Sequence, residues 1–240
     1  MAKRKTRTKT TSRVRSQGLV RKTLRIAVRV GLVVVALGLL VMFLGRYVPP
    51  LTTPYMFAEG RKLGGVSYEW VALEDVAPVM ARSVVAAEDA NFCTHWGFDM
   101  VAIREAIEDG GTRGASTLSQ QTVKNLYLWH GRNYTRKAAE ALLTPVLEGL
   151  WPKRRIIEVY LNIAEFDSGV FGVKAAAAHY FGVSPDALSA TQAARLAAIL
   201  PSPKKRSASR PSDFVRKRTR AIIDGAATIR RDGRAACFES

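Results

Sequence analysis

Cysteine and histidine are scarce in this 240-residue chain: Cys93 and Cys237 are the only cysteines, and His95, His130 and His179 the only histidines. Two cysteines are too few for a metal cluster, and no two histidines stand at ligand spacing, which disfavours zinc. Acidic residues are missing from the first 58 positions, Glu59 being the first. Charge of either sign is missing from residues 30–45 (VGLVVVALGLLVMFLG). There is no internal repeat, and no alternation of strand and helix patterns long enough for a parallel sheet, so the fold class is mainly α.

What is present is unevenly spread. Residues 1–29 carry eleven Lys and Arg, whereas residues 59–203 carry 14 basic and 16 acidic side chains, so the net charge of +17 belongs to the two ends. Such a balance raises nucleic acid first, because phosphate contacts drive that binding. The apolar run redirects it: counted from Ile26 it is long enough to span a bilayer, with Arg29 snorkelling. No nucleic-acid partner is then needed. Residues 1–25 read as a basic cytoplasmic tail, 26–46 as a transmembrane helix and 47–58, with Pro49, Pro50 and Pro54, as an extended linker on the outer side. A cleaved signal competes with this, but Arg46-Tyr47-Val48-Pro49-Pro50 lacks a small-x-small cleavage site.

Beyond the linker the periodicity is helical. Residues 73–89 begin with an acidic turn and carry Val76, Val79, Met80, Val84 and Val85 near helical spacing. A second helix is expected over 100–107, a third capped by Ser116 and running to about Leu128, and a fourth capped by Thr135 from Arg136, kinked or broken at Pro145. Residues 153–162, 174–181 and 191–200 continue the pattern. The basic segment 204–240 reads as a partly helical tail that suits anionic lipid and a solvated face equally. Cys93 and Cys237 are compatible with a disulfide tying that tail to the Glu88 segment and equally with two buried thiols.

Two groups carry chemistry. On a helix, Gln120, Gln121 and Lys124 share a face, and the turn at Gly114 with the free amides after it offers an anion site; an ordinary capped helix has the same spacing. Arg132, Arg136, Lys137 and Glu140 suit a pyrophosphate cradle, although Arg136 and Glu140 also read as a surface i,i+4 pair. Ser202-Pro203-Lys204-Lys205 formally matches S-x-x-K, but its basic, proline-bearing loop with fewer than forty residues to follow argues against that chemistry.

Glu88-Asp-x-x-Phe-x-x-His-x-Gly, Gly114-Ala-Ser-Thr-x-x-Gln-Gln, Arg136-Lys-x-x-Glu and Ile156-Ile-x-x-Tyr-Leu-Asn occur in this order. Together they resemble the peptidoglycan glycosyltransferase family, most closely its monofunctional biosynthetic branch, over about residues 60–203. The resemblance implies a lysozyme-like glycosyltransferase domain over 59–203 on the periplasmic side of the bacterial inner membrane, anchored by a single pass. It implies an enzyme that polymerises lipid II into uncross-linked glycan strands for cell wall biosynthesis, with inversion and release of undecaprenyl pyrophosphate. No transpeptidase domain is expected after it, given the length that remains.

By the same resemblance, Glu88 is the general base and Glu140 the second catalytic carboxylate. Ser116, Thr117, Gln120, Gln121, Lys124, Arg132, Arg136 and Lys137 bind substrate, while Asp89, Phe92, His95 and Asn162 support them. Mg or Mn at the pyrophosphate varies within the family and is not assured. Lipid II, the growing glycan chain, bilayer lipids and cell wall synthesis complexes are the implied partners, and Leu126-Tyr127-Leu128-Trp129 is a candidate membrane contact. A glycan-cutting lysozyme-like enzyme is the nearest alternative; it needs a general acid and no pyrophosphate site, so the cation cluster favours synthesis. A non-catalytic tethered scaffold is the other.

Overall fold

The computed structural model describes residues 10–110, 114–131 and 133–239, and side chains from residue 21 onward. It divides at Tyr47 into two units. The first is helix α1 (Thr10–Gly45). Within it Arg21–Gly45 is long and apolar enough to cross a membrane. At 1.5 Å per residue those 25 residues reach about 37 Å, against a hydrocarbon core of about 30 Å. The helix begins upstream of the expected span because nothing in TTSRVRSQG breaks it.

The second unit starts differently from the expected extended linker. Helix α2 (Pro54–Leu63) opens at Pro54, whose missing N–H is no loss at the first helical position, and Thr53 caps it by accepting the Met56 N–H. The stretch before it, residues 46–53, is turns and irregular chain, with Thr53 extended. The helix expected over 73–89 also divides: a 3₁₀ turn (Leu73–Asp75) precedes α3 (Pro78–Glu88), again with proline in the first turn. Next come α4 (Met100–Glu108), capped by Asp99, and α5 (Leu118–Tyr127). The α5 cap is Thr117, one residue past the expected Ser116. Helix α6 (Tyr134–Leu150) is capped by Asn133, two residues before the expected Thr135.

Pro145 does not end α6. The carbonyl that proline leaves unpaired belongs to Ala141, an exposed residue that water can serve. Helix α7 (Lys153–Ile163) follows, buried along nearly its whole length. Then come α8 (Gly172–Phe181) and α9 (Ala190–Ile199). A small sheet, β1 (Ser67–Tyr68), β2 (Glu165–Asp167) and β3 (Val170–Phe171), has the order β1-β3-β2, parallel for the first pair and antiparallel for the second.

The largest departure lies at the C-terminal end. The expected tail contains α10 (Asp213–Arg231) and α11 (Ala236–Glu239). Val215, Ile222, Ala226 and Ile229 of α10 are buried at helical spacing, and the helix packs on both α3 and α9. A Cβ on Gly225 would stand 3.1 Å from that of Ala86, so glycine lets α10 approach the end of α3 closely. A disulfide joins Cys93 to Cys237. One face of this segment is therefore part of the core.

Candidate active site

Glu88 is the last residue of α3, and Asp89 ends the helix by donating its N–H to the Val85 carbonyl. Asp89 is buried and uses both oxygens: Oδ2 accepts the Leu118 N–H at 2.9 Å and Oδ1 meets Nε2 of His95 at 2.8 Å. The end of α3 is thereby tied to the start of α5. Phe92 is fully buried beneath this turn, with the Lys153 ammonium 4.4 Å from its ring centroid.

The segment 114–121 divides by role. Thr117 and Gln120 form a capping box, and the Thr117 hydroxyl also donates to the Gly97 carbonyl at 2.7 Å. Both are buried, so they build the site's floor. Gly97, the glycine of the His-x-Gly motif, has φ +86°, and a Cβ there would sit 2.6 Å from Thr144 Cγ2. Gln121 instead turns toward Glu88: its Nε2 donates to Glu88 Oε2 at 3.1 Å, and its Oε1 accepts from the Tyr160 hydroxyl at 3.2 Å.

Glu88 Oε1 is buried without a hydrogen-bond partner, and the side chain is only 12% exposed. Burial raises the Glu88 pKa above the ordinary carboxylate value; the Gln121 hydrogen bond and the charges of Arg218, Lys124 and Arg206 oppose it. A carboxylate so placed is a poor anion and a ready proton acceptor.

The second carboxylate is held differently. Glu140 is buried on α6, with Arg136 Nη1 at 2.7 Å from Oε2 and Lys137 Nζ on Oε1. Lys137 also donates to the Ser116 hydroxyl at 3.2 Å. Burial lowers the Lys124 pKa; Glu140 opposes this, while Arg136 and Lys137 add to it and Glu88 opposes it. One ammonium therefore senses both carboxylates. Arg132 lies outside the described residues. Both Glu140 oxygens are engaged by cations, and no group of three His, Cys, Asp or Glu among the described residues is arranged to hold a metal ion. The described residues do not fit a divalent ion bound by protein ligands alone.

Two cavities flank Glu88's neighbourhood. Glu88 lines one of about 240 Å³ with Ser116 and Thr117. Gln121 and Lys124 line another of about 330 Å³ with Tyr55, His130, Tyr160 and Lys204. Tyr55 stacks on His130 at 3.4 Å between centroids, and Lys204 pairs with Glu59 at 2.6 Å. The Ser202-Pro203-Lys204-Lys205 segment is thus a cavity wall. Asn162 stands apart as a brace: it accepts the Val71 N–H and donates to the Val71 carbonyl, both at 2.8 Å. In the candidate membrane contact Leu128 is buried and Trp129 is half exposed, so of that pair only the tryptophan offers a surface.

Sequence reasoning passed over Tyr160 and Arg218. Tyr160 sits inside the quoted Tyr-Leu-Asn motif. Arg218 is three residues after Val215 and four before Ile222, a cation in an apolar stripe, and that pattern was its available signal.

A largely helical fold carrying two differently held carboxylates beside a cation cluster is the arrangement expected of a glycosyl-transferring enzyme. The Transglycosylase family profile matches residues 59–227, and the chain belongs to that family. It is 63% identical over 191 residues to a biosynthetic peptidoglycan transglycosylase of Jannaschia sp. (strain CCS1), covering 80% of each chain. It is 45% identical over 210 residues to one from Caulobacter vibrioides, covering 86% of this chain and 92% of the relative. A third, from Rhodospirillum centenum, is 46% identical over 219 residues, with 88% and 93% covered. The profile runs past position 203 into α10, in agreement with the packing of that helix.

Proposed function

We propose that this chain is a peptidoglycan glycosyltransferase that polymerises lipid II into glycan strands for the cell wall. The 4-hydroxyl oxygen of an incoming lipid II sugar attacks the anomeric carbon of the growing chain with inversion. The bond from that carbon to the undecaprenyl pyrophosphate breaks, and its electron pair leaves with the pyrophosphate. Glu88 takes the hydroxyl proton. The single observation that carries this reading is the buried Glu88 carboxylate, with one oxygen held by Gln121 and the other without a hydrogen-bond partner.

Lys124, Arg136 and Lys137, with the neighbouring Arg132, bind and neutralise the departing pyrophosphate; Glu140 orients Arg136 and Lys137. Ser116 and Gln121 contact sugar or phosphate, Thr117, Gln120, Asp89, Phe92 and His95 shape the site, and Asn162 supports it from a distance by bracing the backbone at Val71. The apolar N-terminal helix anchors the enzyme where its lipid-linked substrate diffuses. Its basic flank favours a cytoplasmic N-terminus and a periplasmic catalytic domain on the inner membrane, and the disulfide suits that oxidising side. Bilayer lipids and cell wall synthesis complexes are its expected neighbours.

The test incubates detergent-purified protein with labelled lipid II and follows both polymer length and undecaprenyl pyrophosphate. Polymer and lipid product in step support the assignment. Solubilisation of pre-formed glycan without polymer would mark a cutting enzyme, and neither activity from folded protein would leave a scaffold.

A further inference from the structure

The C-terminal segment meets the turn that carries Glu88 at four points. Gly225 packs against Ala86, and Arg218 Nη2 donates to the Ala87 carbonyl at 3.1 Å. Arg234 Nη1 donates to the Ala90 carbonyl at 3.1 Å, and Cys237 is bonded to Cys93. Within this seam Arg218 Nη2 lies 3.5 Å from Glu88 Oε1, the oxygen that has no hydrogen bond. Arg218 Nε is also buried without a hydrogen-bond partner.

We propose that Arg218 is a positioning residue for Glu88, delivered by α10 to orient the carboxylate and offset its buried charge so that Oε1 faces the hydroxyl it deprotonates. This rests on the assignment of Glu88 as general base. A guanidinium fixed to the Ala87 carbonyl cannot drift from the turn that bears Glu88. At 3.5 Å it attracts the anion without occupying Oε1 by a tight hydrogen bond, which leaves that oxygen able to take a proton. The other titratable or charged groups facing Glu88 are Lys124 from α5, Tyr160 from α7 and Arg206 from the segment before α10. Of the two C-terminal cations only Arg218 forms an ion pair with the carboxylate.

The experiment measures kcat/KM for lipid II polymerisation against pH in the full-length protein and in Arg218→Gln, Arg218→Lys and Glu88→Gln. Arg218→Gln is expected to move the acid limb upward by about one pH unit, a loss of about tenfold below the limb that shrinks above it. Arg218→Lys is expected to keep the limb near its native position while lowering the rate evenly, since charge survives and fork geometry does not. An even loss across pH in Arg218→Gln, with the limb unmoved, would reduce Arg218 to a packing residue and overturn the proposal. If Arg218→Gln fails to fold, an acid limb in Arg218→Lys displaced by about a unit overturns it, and one left in place supports it. Activity retained by Glu88→Gln would remove the base assignment itself. An inactive Glu88→Gln beside an unmoved limb in Arg218→Gln would remove this proposal alone.

Discussion

The Asp89 carboxylate accepts the backbone N–H of Leu118 at 2.9 Å, binding the last turn of α3 to the first residue of α5. Glu88 and Gln121 project from those two helices, so their 3.1 Å contact depends on that tie. Asp89→Ala leaves a buried N–H and a buried imidazole unpartnered, each costing on the order of 1–3 kcal/mol. The variant should lose about 2–4 kcal/mol in denaturant unfolding, with polymerisation falling more than tenfold in the fraction that stays folded.

Glu88 itself should be a stability liability. Its folded pKa is raised from the ordinary 4.5 by burial, so the stability it contributes is complete below that value and is lost as pH rises through the folded pKa. Glu88→Gln is therefore expected to melt at a higher temperature than the native protein at neutral pH. The difference should shrink as pH falls toward 4.5. Thermal unfolding of both proteins across this range checks the sign.

Glu140 makes a different prediction, because its charge is engaged by Arg136 and Lys137. Glu140→Gln frees both cations to wander and should lower turnover roughly ten- to a hundredfold by misplacing pyrophosphate donors. Rates on lipid II at saturating concentration measure this. A change below twofold would remove Glu140 from the machinery.

The Cys93–Cys237 bond closes a loop of 144 residues. Reduction, or Cys237→Ser, should destabilise the domain by about 2–4 kcal/mol through the freed unfolded chain. Parallel denaturation curves with and without reductant give the value, and coincident curves would contradict it.

Local patterns carried much of this in the sequence, and long-range approach carried the rest. Glu88, Gln121 and Glu140 stand out in the sequence because each lies in a motif of fixed spacing, and the fold brings Glu88 and Gln121 into contact. The Thr117 cap was one residue off because neighbouring hydroxyls at 116 and 117 offer the same local chemistry; the reciprocal bond from Gln120 decides between them. Pro145 suggested a break because proline's cost is judged from the chain alone, whereas the stranded carbonyl falls on a wet face. Arg218 stayed hidden among the basic residues near the chain's end, since only the docking of α10 on α3 separates it from its exposed neighbours.

The central claim is that a buried Glu88 takes the proton from the acceptor hydroxyl. Its most direct test is the rate of polymer formation from labelled lipid II by native protein and Glu88→Gln at neutral pH, both verified as folded by their melting curves. A fall of about two to four orders of magnitude in the variant is the predicted result. Polymer formed by Glu88→Gln within tenfold of the native rate would contradict it.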